Sequence, residues 1–201
     1  MAKIIEFEHD IHSEDRGDIG VYFSESFYER ENWPVEFILS EKQYNTKALY
    51  GHYKRVRLIQ DRFSKSYKGG VRGFHGDKAT WKYITCLSGK IKLVTWDIKQ
   101  QIRQEFYLED GKNSILIPPY YLNGHQCLTD VCIFHYKQSE YYENFPATAQ
   151  WSVNYNDSSI APNWDLEPRR VSQRDKNAIS LAEFYRTYNW VNGTIYECTR
   201  S

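Results

Sequence analysis

The sequence predicts an all-β sandwich or barrel, and three observations carry that expectation. Short runs rich in β-branched and aromatic residues recur through the middle of the chain. Gly and polar turn signals separate them at close spacing. Hydrophobic residues make up 41% and aromatics 16% of the 201 residues, enough to fill a core and too aromatic for disorder.

The strand-like runs are Arg55–Asp61 (RVRLIQD), Trp81–Leu87 (WKYITCL), Lys90–Asp97 (KIKLVTWD), Ser114–Pro118 (SILIP) and Val131–Lys137 (VCIFHYK). Alternation in KIKLVTWD is imperfect, but its composition is that of a strand. Turns are signalled at Lys68–Gly70, Ser88–Lys90, Glu109–Asn113 and Leu128–Asp130. The segment Glu29–Tyr53 reads as an insertion with some helix. Near the other end, Ser180 and Glu183 form an S-x-x-E capping box, with Ile179 and Phe184 placed as a hydrophobic staple. Leu181, Phe184, Tyr185 and Tyr188 follow at helical spacing, which predicts a helix packed outside the sheets. No repeat or low-complexity linker divides the chain. The expectation is one domain over residues 1–201, with its core at about 15–175 and a helical tail at about 176–201.

Lys plus Arg and Asp plus Glu each number 26, so the formal charge is zero. A general nucleic-acid binder would carry a basic excess, so that class is set aside; a local basic pocket for one phosphorylated small molecule is compatible with neutrality. Mean hydropathy is −0.71 and no apolar run approaches the length of a membrane span. The N-terminal MAKIIEFEHD has no signal-peptide pattern. Cys86, Cys127, Cys132 and Cys198 form no CxxC pair, and three of them lie in apolar runs. That suits reduced, buried thiols in a cytoplasm.

Strand parity places Lys82 with Ile84 and Cys86 on one face, and Tyr136 with Cys132 and Phe134 on another. Either these polar groups face an apolar interior, where a lysine requires an anion to meet it, or Lys82 faces solvent with Trp81 and Tyr83 inside. His75, in VRGFHGD, lies beside Arg72 and shortly before Lys82 across GDKAT. A potential base, an anion binder and a cation are thereby expected near one strand pair. Metal chemistry of the HxH type is not expected, because Gly76 and Asp77 follow His75. His125 could serve as a later ligand, but a full set does not assemble. Phosphate-loop, dinucleotide and nucleophile-elbow motifs are missing.

The ordered residues resemble the dTDP-4-dehydrorhamnose 3,5-epimerases and related sugar-nucleotide epimerases, which are cupin-type jelly rolls. Asp15-Arg16-Gly17 is similar to that family's D-x-R-G or E-R-G, and Gln60-Asp61-Arg62-Phe63-Ser64-Lys65-Ser66 to its Q-D-N-x-S-x-S. Val71-Arg72-Gly73-Phe74-His75 resembles L-R-G-L-H; Lys82, Gly89 and Asp97 keep the order K…G…D; Ile117-Pro118 opens the I-P-x-G-x-A-H-G segment. Tyr136-Lys137 with Tyr141-Tyr142 resembles Y-K-x-x-x-Y-Y, Asn156-Asp157 resembles W-N-D, and Ser172-Gln173-Arg174-Asp175 resembles the closing L-S-x-K-D.

The resemblance implies a cupin jelly roll, a homodimer, no cofactor and no metal. It implies a nucleotide-diphosphate sugar as substrate, inverted at C3, C5 or both beside a C4 ketone; the sugar would be a 4-keto-6-deoxy sugar or a keto-heptose. By the same resemblance His75 is the general base, Asp175 the carboxylate that orients it, and Lys82 the cation beside the C4 oxygen. Tyr136 and Tyr142 are the candidate proton donors on the opposite ring face. Arg72 and Arg16 would meet the diphosphate, Arg16 from a partner subunit. Gln60, Arg62, Asn123 and His125 complete the expected substrate contacts. The chain departs from the family where A-H-G-F becomes Leu122-Asn123-Gly124-His125, where Q-D-N becomes Gln60-Asp61-Arg62, and where H-F-Q becomes His75-Gly76-Asp77. On a strand Asn123 and His125 share a face, so His125 could partly replace the missing histidine. Rival expectations are a sugar-nucleotide 3,4-ketoisomerase on the same fold and a non-catalytic nucleotide-sugar or glycan binder.

Overall fold

The computed structural model describes residues 3–14, 17–21, 23–41, 49–144, 150–160, 163–191 and 194–197. Along the chain run β1 (Ile5–Glu8), β2 (Ile11–Glu14), β3 (Gly17–Gly20), a 3-10 turn (Glu25–Glu29), β4 (Val35–Glu41), β5 (Leu49–Arg55), β6 (Gln60–Tyr67) and β7 (Gly70–Gly76). There follow β8 (Lys82–Ser88), β9 (Lys90–Asp97), β10 (Ile102–Glu109), β11 (Asn113–Ile117), β12 (Tyr121–Cys127), β13 (Val131–Gln138), β14 (Trp151–Ser152) and β15 (Arg170–Val171). The chain continues through α1 (Gln173–Lys176), α2 (Leu181–Thr187), β16 (Tyr188–Val191) and β17 (Thr194–Glu197).

Two antiparallel sheets face each other, in the order β1-β11-β8-β13-β6 and β10-β9-β12-β7-β14, with β15 added parallel to β7. This is a jelly roll. Between the sheets Ile84, Cys86, Ile91, Leu93, Phe106, Leu108, Ile115, Ile117, Cys132 and Phe134 form the inner core. Each sheet is also covered on its outer face. Phe7, Phe27, Tyr28, Trp33, Val56 and Leu58 pack over Trp81, Tyr83 and Leu116. Trp151, Val153, Ile160, Leu181 and Phe184 pack over Phe74, Val94, Trp96 and Leu122.

Double coverage explains the imperfect alternation of KIKLVTWD. Ile91 and Leu93 enter the inner core, while Val94 and Trp96 are buried on the other side under the C-terminal segment. It also resolves the two readings of WKYITCL. Trp81 and Tyr83 are buried, but in the outer layer, and Lys82 lines the inner face with Ile84.

Several expectations are corrected. Arg55–Asp61 is not one strand: it spans the end of β5, an irregular stretch that buries Val56 and Leu58, and the start of β6. The described part of Glu29–Tyr53 is the hairpin β4–β5 rather than helix. Among the described residues of the tail beyond Lys176, α2 is helical and β16 and β17 then pair as strands. Helix α2 starts where the capping signal lies: the Glu183 N–H donates to Ser180 Oγ at 3.1 Å, and Asp157 Oδ2 accepts from Leu181 N–H at 2.7 Å. Cys86, Cys127 and Cys132 are free and buried, whereas Cys198 lies outside the described residues.

Candidate active site

Strands β6 and β7 are adjacent in sequence but belong to opposite sheets, and between them the sheets enclose a cleft of about 710 Å³, a size suited to a small-molecule ligand. Among the described residues its walls carry Arg62, Lys65, Arg72, Lys82, Arg170 and Arg174 against one carboxylate, Asp175. The chain as a whole is neutral, so this cationic bias is local to the cleft and favours an anionic ligand.

Strand β7 supplies both Arg72 and His75. Three residues apart, they would face opposite ways on a regular strand. Asn123 of β12 pairs with His75 and His125 pairs with Arg72, so an extra β7 residue is accommodated between them. This bulge turns both side chains into the cleft. It requires glycine: Gly73 has φ +115°, and a Cβ there would lie 2.5 Å from Gly124 Cα.

His75 Nε2 lies 2.7 Å from Asp175 Oδ1. An ionised carboxylate only accepts, so Nε2 carries the proton and Nδ1 keeps its lone pair. Asp175 is set on α1, where Ser172 caps the first turn through the Asp175 N–H, and Gly73 N–H donates to Asp175 Oδ2 at 3.4 Å. Burial opposes ionisation of Asp175, but the His75 hydrogen bond, the His75 charge and the Ser172 and Gly73 donors outweigh it and hold the carboxyl below its usual range. Burial pulls the His75 pKa below its ordinary value; Asp175 opposes this, while Arg174 and Lys82 add to it. His75 is therefore a neutral imidazole at neutral pH.

Lys82, at the start of β8, reaches the cleft from the other sheet. The expectation of one shared strand pair is corrected: base and ammonium face the cleft from opposite walls. Burial lowers the Lys82 pKa, Asp77 partly restores it, and Arg174 and Arg62 depress it further. Tyr136 and Tyr142 also line the cleft. Burial raises the Tyr136 pKa, so its hydroxyl stays protonated. The Arg62 guanidinium stacks 3.9 Å from the Tyr142 ring centre and 5.6 Å from that of Tyr136.

Of the remaining expected contacts, Arg62, Arg72, Asn123 and His125 line the cleft. The Asn123 amide donates to the His75 carbonyl at 3.0 Å, which ties it to the base strand. Gln60 stands behind the wall: its Oε1 accepts from Gln138 and from the Tyr142 N–H, both at 2.8 Å, so it positions Tyr142. Arg16 lies outside the described residues. Sequence reasoning passed over Arg174, whose Nη2 donates to Ser152 Oγ at 2.7 Å and whose charge reaches both His75 and Lys82. The signal was present, because Ser172-x-x-Asp175 is itself a capping pattern that fixes Arg174 beside Asp175. Among the described residues no group of three or more His, Cys, Asp or Glu could hold a metal ion.

A neutral imidazole fixed by a carboxylate, facing an ammonium across a cationic cleft, can move a proton beside a carbonyl. That chemistry on a jelly roll defines a class of proton-transfer isomerases. The comparisons narrow the class. The family model described as dTDP-4-dehydrorhamnose 3,5-epimerase matches residues 1–183, and the chain belongs to that family. It is 28% identical over 141 residues to the dTDP-4-dehydrorhamnose 3,5-epimerase of Salmonella typhimurium, covering 64% of this chain and 72% of that protein. To the Methanothermobacter thermautotrophicus enzyme of the same name it is 28% identical over 142 residues, covering 64% and 74%. The fold is shared with NovW, a 4-keto-6-deoxy sugar epimerase of Streptomyces spheroides, at TM-score 0.72 and 21% identity over 91% of this chain and 84% of that one. It is shared also with ChmJ, a 3'-monoepimerase of Streptomyces bikiniensis solved with dTDP-quinovose, at TM-score 0.71 and 23% identity over 91% and 86%.

Proposed function

We propose that this protein is a cofactor-independent epimerase that inverts C3, C5 or both of a nucleotide-linked 4-keto sugar, of the 6-deoxy or heptose type, in deoxysugar or polysaccharide biosynthesis. The observation that carries the reading is the 2.7 Å His75–Asp175 pair in the same cleft as Lys82. His75 Nδ1 takes the proton from the carbon beside C4. The electron pair of the broken C–H bond moves into the ring, and the negative charge develops on the C4 oxygen. Lys82 stabilises that charge, more strongly in a buried setting than in water. Asp175 stabilises the imidazolium. Tyr136 or Tyr142 delivers a proton to the other ring face, and the carbonyl reforms at C4 with the centre inverted. Arg62, Arg72, Arg170 and Arg174 suit the diphosphate, because guanidinium groups pair with phosphate oxygens in bidentate fashion.

A homodimer in the cytoplasm completes the reading. The dimer is supported by edge strand β6, which leaves Phe63 76% exposed and Tyr67 45% exposed. The cytoplasm is supported by the three buried free thiols; among the described residues no helix is long and apolar enough to cross a membrane.

The test is a panel of freshly prepared 4-keto sugar nucleotides carrying thymidine, guanosine, cytidine or uridine, incubated in D₂O and followed by NMR. Deuterium at C3 or C5 with the ketone still at C4 is the expected result. Migration of the ketone to C3 would assign a ketoisomerase instead. Tight binding without exchange by any member would remove the enzyme reading.

A further inference from the structure

His125 is a buried polar group in the cleft whose bonding is incomplete. It lies on β12, is 4% exposed and lines the cleft. Its ring stacks on Phe134, with 4.1 Å between centroids and 12° between planes. Its Nε2 is buried without a hydrogen-bond partner. Unpaired buried donors and acceptors are costly and rare, and in a ligand cleft the missing partner is naturally an atom of the ligand.

The chemistry of that atom follows from the state of the ring. Burial, then the charges of Arg72 and His75, oppose protonation against a weaker contribution from Asp175, and the pKa is pushed down to about 3. A neutral imidazole offers one donor and one acceptor. The free Nε2 is a donor in one tautomer and an acceptor in the other, and a hydroxyl meets either. A phosphate oxygen meets only the donor tautomer, and among the described residues six cationic side chains of the cleft already suit it. Ser64 Oγ, on β6 across the cleft, is likewise buried, unpartnered and able to bond in both directions. The Phe134 ring covers one face of His125, and the ring nitrogens bond in the plane, at the edge.

We propose that His125 is a sugar-reading residue, whose imidazole edge hydrogen-bonds a ring hydroxyl of the substrate's sugar. This rests on the nucleotide-sugar reading above and adds which part of that ligand the residue meets.

The experiment is calorimetric titration of wild type, His125→Phe and His125→Gln. The ligands are dTDP, UDP, GDP and CDP, each alone and as a stable conjugate: dTDP-D-xylose, UDP-glucose, GDP-mannose and CDP-glucose. Phenylalanine keeps the stacking on Phe134 and removes both hydrogen-bonding positions. For the base that wild type binds, His125→Phe is expected to shift the ratio of conjugate to diphosphate dissociation constants about tenfold against the conjugate. The bare diphosphate should bind unchanged, and His125→Gln, which keeps a donor and an acceptor, should restore most of the ratio. Equal weakening of diphosphate and conjugate would overturn the proposal in favour of a phosphate contact or a packing role. An unchanged ratio would overturn it as well. If wild type binds none of the eight ligands, the nucleotide-sugar reading itself fails, and this inference goes with it.

Discussion

Strand β8 carries two different environments on one face. Lys82 enters the cleft, and Cys86, further along, is fully buried in the inner core with Ile91, Leu108 and Ile115. The same contrast runs along β13, from Tyr136 in the cleft to Cys132 in the core. In the closed half, apolar side chains from both sheets meet, and burial stabilises the fold by about 25 cal/mol per Å². In the open half, β6 contributes Ser64 and Ser66, too short to fill the gap, and Arg62, Arg72, Lys82 and Arg174 line it together with Tyr136 and Tyr142. Two stretches of one interior thus serve opposite ends. The closed half supplies free energy, while the open half spends some of it to hold an ammonium and an unpartnered imidazole ready for a ligand.

Substitutions can break or sharpen that contrast. The largest effect is expected for His75→Asn, which removes the base and should lower turnover by about 10⁴-fold, the upper range for a proton-transfer group, with the melting temperature little changed; discontinuous product NMR checks both isomers. Lys82→Met should lower turnover by about 10²–10³-fold. It should also raise the stability of the unliganded protein by about 1 kcal/mol, because it removes a desolvated charge. Urea titration reads that gain, and a loss of stability would show that Lys82 supports the fold. Leu108→Ala, in the closed half and 0% exposed, should do the reverse. It should cost about 3 kcal/mol of stability while leaving turnover of the folded fraction intact.

The last effect is read in acid. The unfolded chain binds a proton at His125 below the ordinary value of 6.5, but the folded protein does not until about pH 3. Stability contributed by this residue is therefore lost as pH falls through that window, by about 1.4 kcal/mol per pH unit. Melting curves of His125→Phe should show a shallower acid limb than wild type over pH 6 to 4. The His75 shift has the same sign. Hence kcat/KM should fall on the acid side with a midpoint below 6.5, and on the alkaline side as Lys82, whose pKa is also lowered, loses its proton; an acid midpoint above 6.5 would mean that His75 is not the neutral base.

Much of this was legible in the sequence. The parity of Lys82, Ile84 and Cys86 depends only on the two-residue period of a strand, and it held. The start of α2 at Ser180 depends on local hydrogen bonding, and it also held. The order of motifs from Gln60 to Asp175 pointed to the family and to most of the cleft. Glu29–Tyr53 was misread because its hairpin is not fixed by local pattern. The Arg55–Asp61 run was misread because Val56 and Leu58 are apolar for packing within the outer layer rather than for a place in a strand.

What the sequence by itself determined is therefore what one element can decide alone: which residues share a strand face, where a helix begins, and which residue types are available for acid–base work. Tertiary structure decided which face of β8 is the inside, since both faces are buried and composition cannot rank them. It decided that Arg72 and His75 point the same way, since that needs β7 to bulge where Gly73 meets Gly124. It decided that His75 and Lys82 stand on opposite walls, since β7 and β8 are neighbours in sequence but belong to different sheets. The physical reason is common to all three: side-chain direction along one strand follows from covalent geometry, whereas the space a side chain points into is made by segments distant in the chain.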